Sequence, residues 1–193
     1  SSPDQFLTAI GSRTVSTWDL TQGNRVFHEV QDGEPRGILI SRDERLLLGF
    51  KLGDVKTFLL QSGHPLAAER RRKYAVRSFV HTGNHQEYVG VGDNGYWMLY
   101  DLNATPMEQE AVRLRGVKDH QFSVLSLGLD QVLIGYQSGI IRLWNIRSKT
   151  VLLAFHGHTS NILSLALSPD GKHFASGDDH GNLFVWKIPP EVI

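Results

Sequence analysis

Ile141-Arg142-Leu143-Trp144 and Leu183-Phe184-Val185-Trp186 are two copies of one pattern, a short apolar run that ends in tryptophan. Three earlier stretches repeat it with a changing last residue: Val15-Ser16-Thr17-Trp18, Val55-Lys56-Thr57-Phe58 and Trp97-Met98-Leu99-Tyr100. The aromatics stand at positions 18, 58, 100, 144 and 186, at intervals of 40, 42, 44 and 42 residues. A period of that length holds four short strands with their turns, the size of one propeller blade. Five residues before four of the aromatics stand Gly53, Gly95, Gly139 and Gly181. A glycine at a fixed distance ahead of a strand predicts a tight turn that needs positive φ. The first repeat has Arg13 there, which predicts a turn of different construction.

Within each period, runs of β-branched and aromatic residues alternate with turn formers, and no stretch carries a helical stripe. In the third full period the strands are expected at Phe122 to Leu127, Gln131 to Tyr136, Ile140 to Ile146 and Thr150 to Phe155, with turns at Leu129-Asp130 and Ser138-Gly139. The next period runs from Ile162 to Leu167, turns through Ser168-Pro169-Asp170-Gly171 and continues from His173 to Ser176. The fold class is therefore all-β, built of four-stranded antiparallel blades, about four and a half of them. The boundaries read as a partial blade over 1–30, blades over 31–72, 73–116 and 117–156, a partial blade over 157–188 and a tail over 189–193. The chain opens on a second-type strand and closes on a third-type strand, eighteen strands in all, so its two ends do not complete one another. With no initiating methionine, it reads as an excerpt of a longer protein.

Lysine plus arginine and aspartate plus glutamate both number 20, so the formal charge is zero and no global field steers the chain to a polyanion. That balance disfavours nucleic acid as a partner. The absence of cysteine removes disulfides, thiolate nucleophiles and cysteine-ligated zinc. No apolar run is long enough to span a bilayer, and the first residues do not resemble a secretory signal, so a cytoplasmic, intracellular location without membrane insertion is expected.

The segment His156-Gly157-His158, Leu165-Ala166-Leu167-Ser168-Pro169-Asp170-Gly171, Ala175-Ser176-Gly177 and Leu183-Phe184-Val185-Trp186 closely resembles one repeat of the WD-repeat β-propeller family. The other periods resemble it through their aromatic and glycine positions. The resemblance implies a ring, commonly of seven blades, of which this chain is a part. Its missing blades are then supplied by flanking sequence or by another chain. It also implies a hydrogen-bonded set of His, Ser or Thr, Asp and Trp in each blade. His158, Ser176 and Trp186 match it, as do the structural aromatics Trp18, Phe58, Tyr100 and Trp144 at the tryptophan position. Counted six residues before the aromatic, the Asp position holds His180, Ser138, Asn94, Leu52 and Ser12, so the network is expected to be incomplete throughout.

Other features invite chemistry and find a plainer reading. Gly90-Val91-Gly92-Asp93-Asn94-Gly95 spells G-x-G-x-x-G, but a strand, not a helix, is expected to follow, which makes it a hairpin turn. Arg70-Arg71-Arg72-Lys73 falls on an outer strand, where charge discourages strand addition. His156-x-His158 with Asp178-Asp179-His180 has zinc-compatible ligands, yet each residue has a structural place in the repeat. No nucleophile elbow or paired-carboxylate motif is present, and no cofactor is expected.

In propellers that this chain resembles, partners dock on the turns between second and third strands and on the loops between blades. That points to Phe50, Lys51, Asp93, Asn94, Tyr136, Gln137, Asp178, Asp179 and His180 in the first set and to Glu34, Arg36, Arg72, Tyr74, Lys118, His120 and Thr159 in the second. Phe50 and Tyr136, each eight residues before the repeat aromatic, read either as interface anchors or as packing between blades. The functional expectation is a non-catalytic platform that binds a protein or peptide. The alternative is a structural or autoinhibitory segment that completes a ring beside a catalytic or ATPase domain.

Overall fold

A computed structural model describes residues 6–69, 75–84, 86–101, 109–113, 119–128 and 130–190. Among them are eighteen strands in five antiparallel sheets of three, four, four, four and three strands. The first holds β1 (Phe6–Ile10), β2 (Thr14–Asp19) and β3 (Asn24–Val30). The second holds β4 (Pro35–Ile40), β5 (Arg45–Phe50), β6 (Val55–Leu59) and β7 (Pro65–Glu69). The third is formed by β8 (Val76–His81), β9 (Glu87–Gly92), β10 (Tyr96–Asp101) and β11 (Gln109–Arg113). β12 (Gln121–Gly128), β13 (Gln131–Tyr136), β14 (Ile141–Asn145) and β15 (Thr150–Phe155) make the fourth, and β16 (Ile162–Leu167), β17 (His173–Asp178) and β18 (Leu183–Lys187) the fifth. In every sheet the strands lie in chain order, so each is a meander. The chain divides into two compact units, Ser1–Phe79 and Val80–Ile193.

The strand sequences explain the layering. β5 and β13 carry unbroken apolar runs, Leu46-Leu47-Leu48 and Val132-Leu133-Ile134, and are buried on both faces. In the second unit, Val132, Ile134, Tyr136 and Trp144 face Val89, Val91 and Trp97 of the third sheet, with the Trp97 and Trp144 rings edge to face at 5.8 Å. The alternate residues Leu133, Ile141 and Leu143 face Ile162, Phe174 and Ile188 of the fifth sheet. In the first unit, Val15 and Phe27 pack on Leu46, Leu48, Phe50 and Phe58. The repeat aromatic reaches the last strand of the preceding sheet in both units, Phe58 to Phe27 at 5.6 Å and Trp186 to Phe155 at 5.6 Å. Truncating such a ring costs about 3 to 5 kcal/mol, so the 42-residue spacing is a spacing of packing sites.

The turns are also repeated atom for atom. Gly53 N–H donates to Phe50 O, Gly139 N–H to Tyr136 O and Gly181 N–H to Asp178 O, and these glycines have φ of +89°, +78° and +84°. An L-residue is strained there, and at Gly139 a side chain would also strike the His158 carbonyl. The first turn differs, as Arg13 suggests. It has three residues between β1 and β2, and Gly11 N–H donates to Thr14 O. The G-x-G-x-x-G run ends in a single 3-10 turn at Asp93–Gly95, followed by β10, so its glycines serve a strand connection.

Candidate protein-interaction site

The turns after the second strands are tied to the loops that lead into their blades. Lys51 N–H donates to Glu34 O, Gln137 N–H to His120 O and Asp179 N–H to Asn161 O, with lengths of 3.0, 2.8 and 3.0 Å. The clasp uses main chain only, which leaves the side chains free to differ. In the first unit it displays Lys51 and Leu52, the latter 76% exposed, beside Arg36. Glu34 bonds both cations, and its carboxyl is held below the ordinary range by Lys51 first and Arg36 second. In the second unit it displays exposed Gln137, Ser138, Thr159, Asp179 and His180. His120 reaches across to Asp93 on the third sheet at 3.1 Å. Asp179 accepts bonds from Ser160 Oγ and Asn161 Nδ2, Ser160 being the stronger influence, and its pKa is lowered. Arg72, Tyr74, Lys118 and the Arg70–Lys73 run lie outside the described residues.

Beneath this surface lies a buried knot. His158 Nδ1 is 2.8 Å from Asp178 Oδ2, His158 Nε2 is 2.6 Å from Ser176 Oγ, and Trp186 Nε1 donates to Ser176 Oγ at 2.8 Å. Donors and acceptors balance when His158 carries its proton on Nδ1: the carboxylate accepts from Nδ1, and Ser176 accepts from Trp186 and donates to Nε2. The side chains of His158 and Asp178 are fully inaccessible. Burial works against the Asp178 charge. Bonds from the Asn182 side chain and main chain, from His158 and from the His180 main chain outweigh it and hold the carboxyl well below the usual carboxylate range.

This corrects two readings. The network of the last repeat is complete, and its carboxylate is Asp178, eight residues before Trp186 and not six. Ser176 and Asp178 alternate along β17, so they share one face and reach the same histidine. Asp178 is therefore part of the fold's interior and not of the docking surface.

The same count of eight relocates Phe50 and Tyr136. Both are buried, 3% and 0% exposed, so neither is a surface anchor; packing is what they do. Tyr136 stands at the repeat position of Asp178, but its Oη accepts from Trp144 Nε1 at 3.0 Å, the bond that Ser176 Oγ takes from Trp186, and from Gln121 Nε2 at 3.4 Å. Burial first of all pushes the phenol pKa up, so Tyr136 stays neutral. The guanidinium of Arg142 covers the Tyr136 ring at 4.5 Å, as Lys56 Nζ covers the Phe50 ring at 5.1 Å. Each cation stands two residues before its repeat aromatic. The fifth sheet has Phe184 at that position, with its ring 4.4 Å from His158. In three of the five repeats the position eight residues before the aromatic thus holds an acid, a phenol or a phenyl ring, each with a partner matched to it, whereas the other two have Ile10 and Gly92 there.

Five meandering antiparallel sheets, with a repeat aromatic of one sheet packed on the last strand of the sheet before it, define a β-propeller segment. Its structure is similar to that of the β-propeller domain of Myceliophteria thermophila Cps50 (Swd1), with a TM-score of 0.82 over all of this chain and 65% of that one at 17% identity. Residues 149–187 match the family model for the WD domain, G-beta repeat. In sequence the chain is similar to an uncharacterized WD repeat-containing protein of Schizosaccharomyces pombe, 27% identical over 73% of this chain and 35% of that protein. It is similar also to human angio-associated migratory cell protein, 25% identical over 97% of this chain and 48% of that protein. These matches support a WD-repeat β-propeller family for the chain, which spans half or less of the length of these two relatives. Among the described residues, no group of three or more histidine and acidic side chains is placed to hold a metal ion, and no helix is long and apolar enough to cross a membrane.

Proposed function

We propose that this chain is a non-catalytic platform that binds a protein or peptide through the turns after its second strands. The main-chain clasp carries this reading. The same bond fixes Lys51-Leu52, Gln137-Ser138 and Asp179-His180 at equivalent places, so side chains of different chemistry stand on a rigid support. Surfaces of that kind, irregular in sequence and regular in backbone, suit recognition because ordering them on binding costs little entropy. Glu34, Arg36, Asp93, His120 and Thr159 extend the surface with charge and hydrogen-bonding groups. WD-repeat propellers as a class are interaction domains, which agrees with this reading.

The test substitutes the displayed side chains and spares the clasp. K51E/L52S and D179K/H180A are expected to keep the wild-type melting temperature and to lose partners captured by the wild-type chain from a lysate of its source cells. A control on the opposite turns, S148A/K149A, is expected to retain them. Unchanged capture by both loop variants would show that the partners do not use these turns.

A further inference from the structure

At the strand ends opposite the docking turns, Arg147 ties two sheets of the second unit together. It stands three residues after Trp144, makes two bonds to Glu87 on β9 and one of 3.1 Å to Asp130, in the turn between β12 and β13. Asp130 lies fourteen residues before Trp144 with φ of +64°, and its carbonyl accepts from Ile146 N–H at 2.9 Å. A guanidinium is the group that this turn acid and the neighbouring sheet hold between them.

The first unit repeats the frame without the cation. Glu44, fourteen residues before Phe58, has φ of +59°, and its carbonyl accepts from Leu60 N–H at 2.9 Å. Three residues after Phe58 the chain has Gln61, whose Nε2 donates to Glu44 Oε2 at 2.6 Å. Gln61 lines two adjoining hollows. One, of about 360 Å³, reaches the first sheet, with Phe6, Asp19, Asn24 and Val26 in its wall; the other, of about 340 Å³, has Asp43, Glu44, Leu59 and Leu60. Among the described residues, no lysine, arginine or histidine lines either one. Asp43 already has a cation, Arg45 at 2.7 Å. Asp19 takes its bonds from the Thr21 and Gln22 main chain and the Thr21 hydroxyl on Oδ1, so Oδ2 can accept from a ligand. Those bonds, the Thr21 hydroxyl foremost, hold its carboxyl below the ordinary range and keep it ionised at neutral pH.

We propose that this groove binds an arginine side chain of a partner polypeptide, its guanidinium between Asp19 and Glu44 and its methylene stem on Phe6 and Val26, with an adjacent apolar side chain of the partner over Leu59. Charge complementarity selects a cation, and the planar fork selects arginine over lysine because it donates to two carboxylates in different directions, as Arg147 does. The stem covers apolar wall that a bare cation would leave wet. Leu59 is 39% exposed and so available to the neighbouring residue. This site lies at the other end of β5 from Lys51 and Leu52, so it is independent of the platform proposed above.

The test uses the complete product of the gene and a short fluorescein-labelled peptide with arginine between two leucines, read by fluorescence anisotropy at low salt. The arginine peptide is expected to bind about ten-fold or more tightly than versions with citrulline or lysine in its place. D19N and E44Q are each expected to weaken it about ten-fold. D19N keeps the turn, because Asn145, the equivalent residue, makes the same kind of main-chain bonds through its Oδ1. Q61R supplies the guanidinium from within the chain, as Arg147 does, and is expected to abolish peptide binding with a melting temperature at or above wild type. K51E/L52S is expected to leave peptide binding unchanged, which separates this site from the docking turns. Failure of the arginine peptide to bind overturns the proposal, as does equal binding of the citrulline or lysine peptide, or undiminished binding to Q61R.

Discussion

Replacing Tyr136 with phenylalanine removes one oxygen from a fully buried place and changes no shape. That oxygen accepts from Trp144 Nε1 at 3.0 Å and from Gln121 Nε2 at 3.4 Å, and both partner residues are within 1% of complete burial. Without it the indole N–H has no acceptor and cannot reach water. A buried donor stranded in this way costs about 1 to 3 kcal/mol. The longer Gln121 bond adds the smaller share, since its geometry is near the limit for a hydrogen bond. For a chain of this size each kcal/mol lowers the melting temperature by about 2 to 4 °C, so Y136F is expected to melt about 2 to 12 °C below wild type. Calorimetry and circular dichroism are the assays, on Y136F, W144F and the double variant. In the double variant the donor and acceptor vanish together, so the two losses should fall short of additive by about 1 kcal/mol. Wild-type stability in Y136F, combined with loss of partner binding, would refute the placement of Tyr136 inside the fold and restore it as a surface anchor.

Asp178 has a folded pKa below its unfolded value, so its contribution is present in full above about pH 4 and is lost as pH falls through that point toward the folded value. The melting-temperature gap between wild type and D178N should therefore be widest near neutrality and narrow below about pH 4; a gap independent of pH would exclude the ionised carboxylate from the knot. G135A forces a methyl group onto Ile162 and Ser123 and is expected to cost about 1 to 3 kcal/mol in these 193 residues, whereas G177A meets only a rotatable hydroxyl and should be nearly neutral; equal losses in chemical denaturation would refute this geometry. Arg147 forms two bonds to Glu87 and one of 3.1 Å to Asp130 while staying 44% exposed. R147A is expected to cost only about 0.2 to 1 kcal/mol, and a loss that persists undiminished in 1 M salt would contradict an exposed ion pair.

The repeat could be read from the chain because its causes are local. A glycine with positive φ, an alternation of period two and an aromatic that must be buried are properties of single residues and near neighbours. They set the strand order, the turns at Gly53, Gly139 and Gly181 and the rank of the last repeat, in which His158, Ser176 and Trp186 stand in plain view. The shorter first turn is likewise announced by Arg13.

What the chain alone did not decide is which side of the surface a residue falls on. Phe50, Tyr136 and Asp178 end their strands beside polar turns, where aromatic and acidic residues read as contact points. Burial there depends on residues of other strands and loops: His158 over Asp178, twenty positions away, and Gln121, fifteen positions away, against Tyr136. The count of eight residues to the aromatic was available in the sequence, and a phenol standing where another repeat has an acid was the signal for it, but only the assembled sheet shows that the phenol meets the indole N–H directly while the acid meets the histidine. Exposure of the fifth sheet is tertiary in the same sense. Val185 and Leu143 occupy one repeat position, and whether such a side chain is core or surface is decided by whether another sheet lies against it.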